Sequence, residues 1–325
     1  MGSDVKIVIA GGSGFLGTLL ARTFARRGHD VLVVARHPRA REWRTVIWDG
    51  ETLGAWADEV DGADAVINLA GRSVNCRYNA ANRREIVGSR VRSTRVVGEA
   101  IARAERPPRV WLQASTATIY AHRFDAANDE LTGIIGGAEP DAPSSWRFSI
   151  DVARAWESAF ADAPVRRTRR VAMRSAIVMS REPGGVFPVL RRHVALGFGG
   201  GDGDGRQFIS WVHETDFVRA VDWLIAHDDL DGPVNIASPF PLPNAEFMRA
   251  LRREASMPVG LSLPAWMLEI GARILRTETE LILKSRRVVP TRLLRSGFTF
   301  RFPVWEDAVR DLCSHATGKD AQVAA

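Results

Sequence analysis

Lysine is almost missing from this 325-residue chain. Of its 44 basic residues only Lys6, Lys284 and Lys319 are lysines, and the remainder are arginines. No lysine lies between residues 7 and 283, so no Schiff-base or general-base lysine sits there. Tyrosine is as scarce, with Tyr78 and Tyr120 alone. Asn82 and Phe124 stand four residues after them, so a Tyr-x-x-x-Lys dyad is impossible. A phosphate-binding Walker A loop fails as well, because Lys284 follows Leu283 and Lys319 precedes Asp320. The two cysteines, Cys76 and Cys313, are far apart, and neither C-x-x-C nor H-E-x-x-H occurs. No metal site or thiol redox centre is therefore expected. Cysteines this few fit a reducing compartment, and cytoplasmic localisation is the expectation. No apolar run reaches the roughly 18 residues of a membrane span. The run Val5–Ala10 comes too early for a signal peptide, and Lys6 breaks the myristoylation pattern opened by Met1-Gly2. The formal charge of +6 comes from dispersed arginines rather than a block, so solvated faces are expected and not a nucleic-acid footprint.

What is present alternates between two periodicities. Val5–Ala10 is a short β-branched run, and Gly11–Gly17 interrupts it. Leu19, Leu20, Thr23 and Phe24 then recur at helical spacing until Gly28. Val31–Ala35 is continuously apolar, as in a strand covered on both faces. Further strands are expected at Thr45–Trp48, Ala65–Leu69, Arg109–Ser115, Val171–Met179 and Val234–Ala237. Helices are expected at Ala81–Ala104, Ile150–Phe160, Ala245–Glu254 and Ala265–Leu275. Strands alternating with helices predict an α/β fold with a doubly wound parallel sheet of Rossmann type. The expected division is a nucleotide-binding domain over residues 1–180 and a smaller mixed lobe over 181–314. The strand near 234–237 would return to the main sheet, and a flexible tail is expected over 315–325. Residues 197–206 are rich in Gly and Asp, so Gly197–Gly205 reads either as an anion nest or as a lid edge.

Gly11, Gly12, Ser13, Gly14, Phe15, Leu16 and Gly17 join a strand to a helix in the G-x-x-G-x-x-G spacing. The first glycine permits a tight turn, the second lets a pyrophosphate approach the backbone, and the third lets helix and strand pack closely. The free amides and partial positive charge of a helix N-terminus suit the phosphates. An acidic residue after the second strand would indicate NAD, by accepting from the ribose 2′-hydroxyl. Here Ala35-Arg36-His37-Pro38-Arg39 offers no carboxylate, and Arg36 is placed to pair with a 2′-phosphate. The expected cofactor is NADP(H). Asp49, after the third strand, reads either as an adenine contact or as the start of a turn. Asn68, Leu69, Ala70 and Gly71 close the next strand at the level of the cofactor.

With Ser115-Thr116-Ala117-Thr118-Ile119-Tyr120, these motifs resemble the extended short-chain dehydrogenase/reductase superfamily of NAD-dependent epimerase/dehydratase type. Ser89-Arg90-Val91, the run Gly205–His213, Pro233–Ala237 and the stretch Val289–Pro303 narrow the likeness. They resemble an atypical branch with a C-terminal domain of unknown function, loosely described as nucleoside-diphosphate sugar epimerases or cell-division-inhibitor-like. The likeness implies a seven-stranded parallel sheet carrying the dinucleotide, with a small C-terminal lobe over the substrate. It also implies a reaction site of Ser or Thr, Tyr, Lys and Asn. The Ser/Thr position maps onto Thr116, with Ser115 beside it. The Tyr position maps onto Phe148 or Ser149, the Lys position onto Val152 or Ala153, and the Asn position onto Arg90. Subunits of that superfamily often pair through the helices equivalent to 81–104 and 150–160, which allows a homodimer.

Three of those four positions depart from the pattern, so the proton path must differ. Thr116 can orient a carbonyl. Tyr120 carries a phenol that Arg90 could acidify if close, and otherwise packs at a strand end. His213 titrates near neutrality, or else joins a strand to a helix with Asp216 as N-cap. Arg174 and Arg206 read as anion clamps or as ion-pair residues, and Trp146, Phe148 and Trp211 as pocket wall or core. The first functional reading is an NADP(H)-dependent oxidoreductase acting on a small molecule, with no nucleic-acid or membrane partner. The second is a non-catalytic NADPH-binding regulatory protein. The third is a nucleotide-sugar epimerase or dehydratase, which would need the missing Tyr/Lys pair.

Overall fold

A computed structural model describes residues 5–37, 41–139, 143, 146–262 and 280–314. The expected helix Ala265–Leu275, the tail 315–325 and the residues Pro38 and Arg39 lie outside the described residues. The main sheet has seven strands in the order β10-β6-β5-β4-β1-β2-β3. These are β1 (Lys6–Ala10), β2 (Asp30–Ala35), β3 (Arg44–Ile47), β4 (Ala65–Asn68), β5 (Val110–Thr116), β6 (Arg169–Ser175) and β10 (Gly232–Ile236). Neighbours from β6 to β3 pair in parallel, with Ile7 beside Val31 and Ala65, and Asn68 beside Gln113. Parallel strands need crossovers, which helices α1 (Phe15–Arg26), α2 (Ala80–Arg103) and α3 (Arg147–Ala161) provide. The order reverses direction at β1 and β4, where such sheets open a crevice at the strands' carboxyl ends.

Helices α1 and α3 form where the apolar spacing said they would. Leu19, Leu20 and Phe24 are the buried stripe of α1, and Gly28, at φ +87°, stops it. In α3 the buried residues Ile150, Ala153, Trp156 and Phe160 repeat at three and four. The run Val171–Met179 does not stay one strand. It breaks at Ala176, and β7 (Ile177–Met179) leaves the main sheet to pair with β9 (Trp211–His213). The Ala176 amide donates to Ile236 O, which redirects the chain.

Two compact units interleave along the chain rather than following one another. One comprises Met1–Ile119, Arg147–Ser175 and Val218–Val234; the other comprises Tyr120–Trp146, Ala176–Phe217 and Asn235–Ala325. The first unit's core is a continuous cluster from Val8, Leu32 and Val66 to Trp111 and Phe160. The second unit contains helices α4 (Phe187–Ala195) and α6 (Asn244–Glu254) and the short segments α7 (Glu280–Leu283) and α8 (Thr291–Arg295). It ends in α9 (Trp305–Ser314). Its core gathers Trp211, Phe247 and Trp305, the last two stacked with centroids 3.9 Å apart. Helix α5 (Glu214–Ala226) follows β9, and β8 (Phe208–Ile209) pairs antiparallel with β11 (Leu242–Pro243).

Candidate active site

The glycine turn comes first, because the three glycines do different work. Gly11 has φ +76°, and a Cβ there would lie 2.6 Å from the Ala70 amide nitrogen. The turn after β1 and the turn after β4 are therefore in backbone contact. At Gly17 a Cβ would come within 2.4 Å of Gly12 Cα, so the first turn of α1 rests on the loop itself. Gly14 is different: a Cβ there would meet nothing nearer than Gly11 O at 3.7 Å. The protein's own packing does not require Gly14 to be glycine. Gly14 is also the N-cap of α1 and has no side chain with which to cap it. An uncapped helix N-terminus beside a glycine the fold does not need fits a pyrophosphate.

Beyond the turn, Gly12, Ser13, Thr18, Ala35, His37, Arg41 and Thr45 line a shallow depression open to solvent. Arg36, next to His37, is exposed at the end of β2. Arg41 was not singled out by sequence, since only the fold brings it back beside Ser13. Asp49 spends its carboxylate on a turn. Its Oδ1 accepts from the Glu51 and Thr52 amides at 2.7 and 2.8 Å, and Oδ2 accepts from Thr52 Oγ1. Those bonds, the Thr52 hydroxyl foremost, hold Asp49 below the usual carboxylate range.

At the carboxyl end of β4 the side chains brace the backbone. Asn68 donates to Gln113 Oε1 at 3.0 Å and accepts from the Ala70 amide at 3.0 Å, which sets the Leu69-Ala70-Gly71 turn against Gly11. Arg90 donates to Arg72 O and Ile86 O at 2.9 and 3.0 Å, and its guanidinium lies over the Trp156 ring at 4.8 Å. Burial lowers its pKa to about 10, so it remains a cation at neutral pH. Charge on Tyr78 raises the Arg90 pKa against this burial effect.

At the end of β5, Thr116 is half-buried and its Oγ1 accepts from the Thr118 amide at 3.1 Å. That bond leaves the hydroxyl proton to donate elsewhere. Ser115 instead donates to Glu157 Oε1 at 2.6 Å, and Arg174 grips Glu157 with two bonds at 2.8 and 2.7 Å. Arg174 is thus an ion-pair residue, and Glu157 was overlooked. The signal was present: Glu157 stands four residues after Ala153 and seven after Ile150, on the apolar stripe of α3. A charge on such a stripe needs a buried partner.

The second unit uses its candidates structurally. Tyr120 is buried and donates to Asn235 Oδ1 at 3.0 Å, while Asn235 Nδ2 donates to Val289 O. His213 is buried, with Nδ1 accepting from the Thr215 amide and Nε2 3.3 Å from Asp311 Oδ2. Burial pulls its pKa down to about 4, although Asp311 and Asp216 push upward. Asp216 is not an N-cap: α5 begins at Glu214, and Asp216 accepts from the Arg301 and Phe302 amides, both at 2.7 Å. The Gly197–Gly205 loop is neither open nest nor lid. Its Gly200, Asp202 and Gly205 amides bond to Leu261 O, Asn244 Oδ1 and Asp202 O. Arg206 lies over Phe124, Trp146 packs its ring on His122, and Trp211 is core. Among the described residues no group of three or more His, Cys, Asp and Glu is placed to hold a metal, and no helix is long and apolar enough to cross a membrane.

An open parallel sheet with an uncapped glycine turn at the mouth of its first helix defines a Rossmann-type dinucleotide fold. The chain belongs to the NAD dependent epimerase/dehydratase family, which matches residues 7–237; residues 263–312 match a domain of unknown function, DUF1731. It is 30% identical to the epimerase family protein SDR39U1 of Bos taurus, over 95% of this chain and 99% of that protein. The crystal structure of human SDR39U1 with NADPH superposes with a TM-score of 0.82 at 27% identity, covering 95% of this chain and 99% of that one. A nucleoside-diphosphate sugar epimerase from Corynebacterium glutamicum superposes at 0.73 with 26% identity, covering 98% of this chain and 60% of that one.

Proposed function

We propose that this protein is an NADP(H)-dependent oxidoreductase that moves hydride to or from the carbonyl carbon of a small or nucleotide-linked substrate. The observation that carries the reading is the pairing of an uncapped glycine turn with a basic, carboxylate-free rim after β2. The α1 amides would hold the pyrophosphate, and Arg36 with Arg41 would face the 2′-phosphate. Bound nicotinamide supplies the hydride, and the chain must supply the proton and hold the carbonyl. Thr116, at the end of β5 with a donatable hydroxyl, is placed to orient that oxygen. NADPH in the human SDR39U1 structure supports the cofactor assignment. The sugar-epimerase reading draws on the family name, but Phe148 or Ser149 and Val152 or Ala153 stand where the resemblance places its Tyr and Lys.

Titration of the protein with NADPH and NADH tests this reading. Arg36→Glu is expected to weaken NADPH by about ten- to a hundredfold, the equivalent of one or two charge-assisted contacts, and to leave NADH nearly unchanged. Equal loss for both nucleotides removes the 2′-phosphate contact from Arg36. Absence of binding by the unaltered protein removes the cofactor assignment.

A further inference from the structure

We infer that Arg90, on α2 beside the Ala70-Gly71 turn, binds an oxoanion: a phosphate or carboxylate group brought by the cofactor's diphosphate or by an anionic substrate. Its placement beside a cofactor rests on the NADP(H) reading above.

The geometry lies within one compact unit. Gly71 lets the side chain pack against the backbone: a Cβ there would come within 3.1 Å of Arg90 Cγ and 3.3 Å of its Cζ. The guanidinium also lies over the Trp156 ring at 4.8 Å, and Trp156 is itself pinned by Nε1, which donates to Thr94 Oγ1 at 3.1 Å. Nη1 donates to Arg72 O and Ile86 O. The cation is thus fixed by backbone, ring and carbonyls before any ligand arrives, which lowers the ordering cost of binding one. Arg72 follows Gly71 directly, so the guanidinium is tied to the turn whose Ala70 amide nitrogen would touch a Cβ on Gly11. Arg90 and the glycine turn after β1 both pack on this one short segment. It stands at the carboxyl end of β4, where open parallel sheets bind ligands.

What this cation lacks is a counter-charge. Among the described residues no carboxylate pairs with Arg90. Arg92, two residues along the same helix, pairs with Glu51 at 2.7 Å, and Arg174 pairs with Glu157 at 2.7 Å. Arg83, seven residues before Arg90, lies over Phe148 at 4.5 Å and donates from Nε to a carbonyl, Tyr78 O. The two arginines that α2 lays on rings of α3 therefore carry no neutralising carboxylate. A guanidinium drawn out of water needs compensation, and carbonyl dipoles and a ring face supply only part of it. An oxoanion would supply the rest. With Nη1 engaged by the two carbonyls, Nε and Nη2 form the edge of the guanidinium that matches a pair of anionic oxygens. The resemblance puts an asparagine at this position, which carries no charge. Arginine here changes the class of group the position can hold, from a neutral hydrogen-bonding partner to an anion.

Two titrations test this without a known substrate. Arg90→Gln and Arg90→Met remove the charge, and Arg90→Lys keeps it. Either neutral variant suffices if the other fails to fold, as circular dichroism shows. The first titration follows NADPH and NADH binding. If the oxoanion is the diphosphate, which both nucleotides share, a neutral variant weakens both by about tenfold or more and Arg90→Lys recovers much of the loss. The second follows the unfolding midpoint of NADPH-saturated protein in sodium phosphate or sodium acetate, against sodium chloride of equal ionic strength. If the oxoanion belongs to a substrate, nucleotide affinities stay unchanged, while phosphate or acetate raises the parent's midpoint and a neutral variant loses that rise. Which of the two anions acts tells a phosphate-bearing substrate from a carboxylate-bearing one. Nucleotide affinities and anion-induced rises that are the same in the parent and the neutral variants overturn the inference. If the parent binds neither nucleotide, the NADP(H) reading fails by itself, and the phosphate and acetate titrations of the nucleotide-free protein still decide Arg90.

Discussion

The two tyrosines invite comparison because they are the same residue in opposite circumstances. Tyr120 is buried in the second unit, its hydroxyl held by Asn235, which itself donates to Val289 O. Tyr78 is half-buried in the first unit, edge-on to Phe148 and electrostatically coupled to Arg90. His213 repeats the first pattern: it is buried, hydrogen-bonded and held neutral. Residue type alone nominated Tyr120 and His213 for chemistry, but both are buried in the second unit.

The glycine turn carries the same contrast at its sharpest, and its substitution has the largest expected effect. Gly17→Ala would drive a Cβ to 2.4 Å from backbone atoms of Gly12, which cannot move aside without breaking the turn. The expected loss is about 3 kcal/mol of stability, read from urea unfolding. Gly14→Ala meets only an ordinary contact at 3.7 Å. Its unfolding midpoint is expected to stay near that of the parent, while NADPH affinity falls at least tenfold. Gly14→Ala protein that binds NADPH normally would show that the phosphates do not approach there.

These sites differ in how far the sequence reveals them. The glycine turn, the β2 and β4 strands and helices α1, α2 and α3 were legible, because each depends on local spacing. The stripe Leu19, Leu20, Phe24 and the continuous run Val31–Ala35 state their burial without tertiary information. The break of Val171–Met179 into β6 and β7 was not legible, since Ile236, the acceptor that turns the chain, lies 60 residues from Ala176. The Ser115–Glu157–Arg174 network and the return of Arg41 to Ser13 are likewise products of tertiary folding.

His213 permits a smaller but directional test of the structural half of the comparison. Its pKa in the fold is about 4, below the ordinary 6.5. The unfolded chain therefore binds the extra proton first as pH falls. The stability that neutral His213 contributes is complete above about pH 6.5 and is lost progressively down to about pH 4, by roughly 3 kcal/mol in total. Asp202, pushed up to about 6 by burial, works in the opposite direction over part of that range. Comparison with His213→Asn isolates the histidine: the variant's stability should fall less steeply between pH 6.5 and 4. Parallel pH profiles would mean that His213 is protonated as readily in the fold as in the unfolded chain.

The smallest effect is the most direct comparison of the two phenols. Tyr120→Phe removes the donor to Asn235 Oδ1 and leaves a buried amide oxygen short of a partner. The expected cost is about 1–2 kcal/mol. Tyr78→Phe keeps the edge-on contact with Phe148 and the backbone bond from Arg83, neither of which involves the hydroxyl. Its stability is expected to fall less than that of Tyr120→Phe, because the residue is only half-buried. If Tyr78→Phe proved the more destabilising of the two, burial would not rank the two phenols, and the comparison would fail.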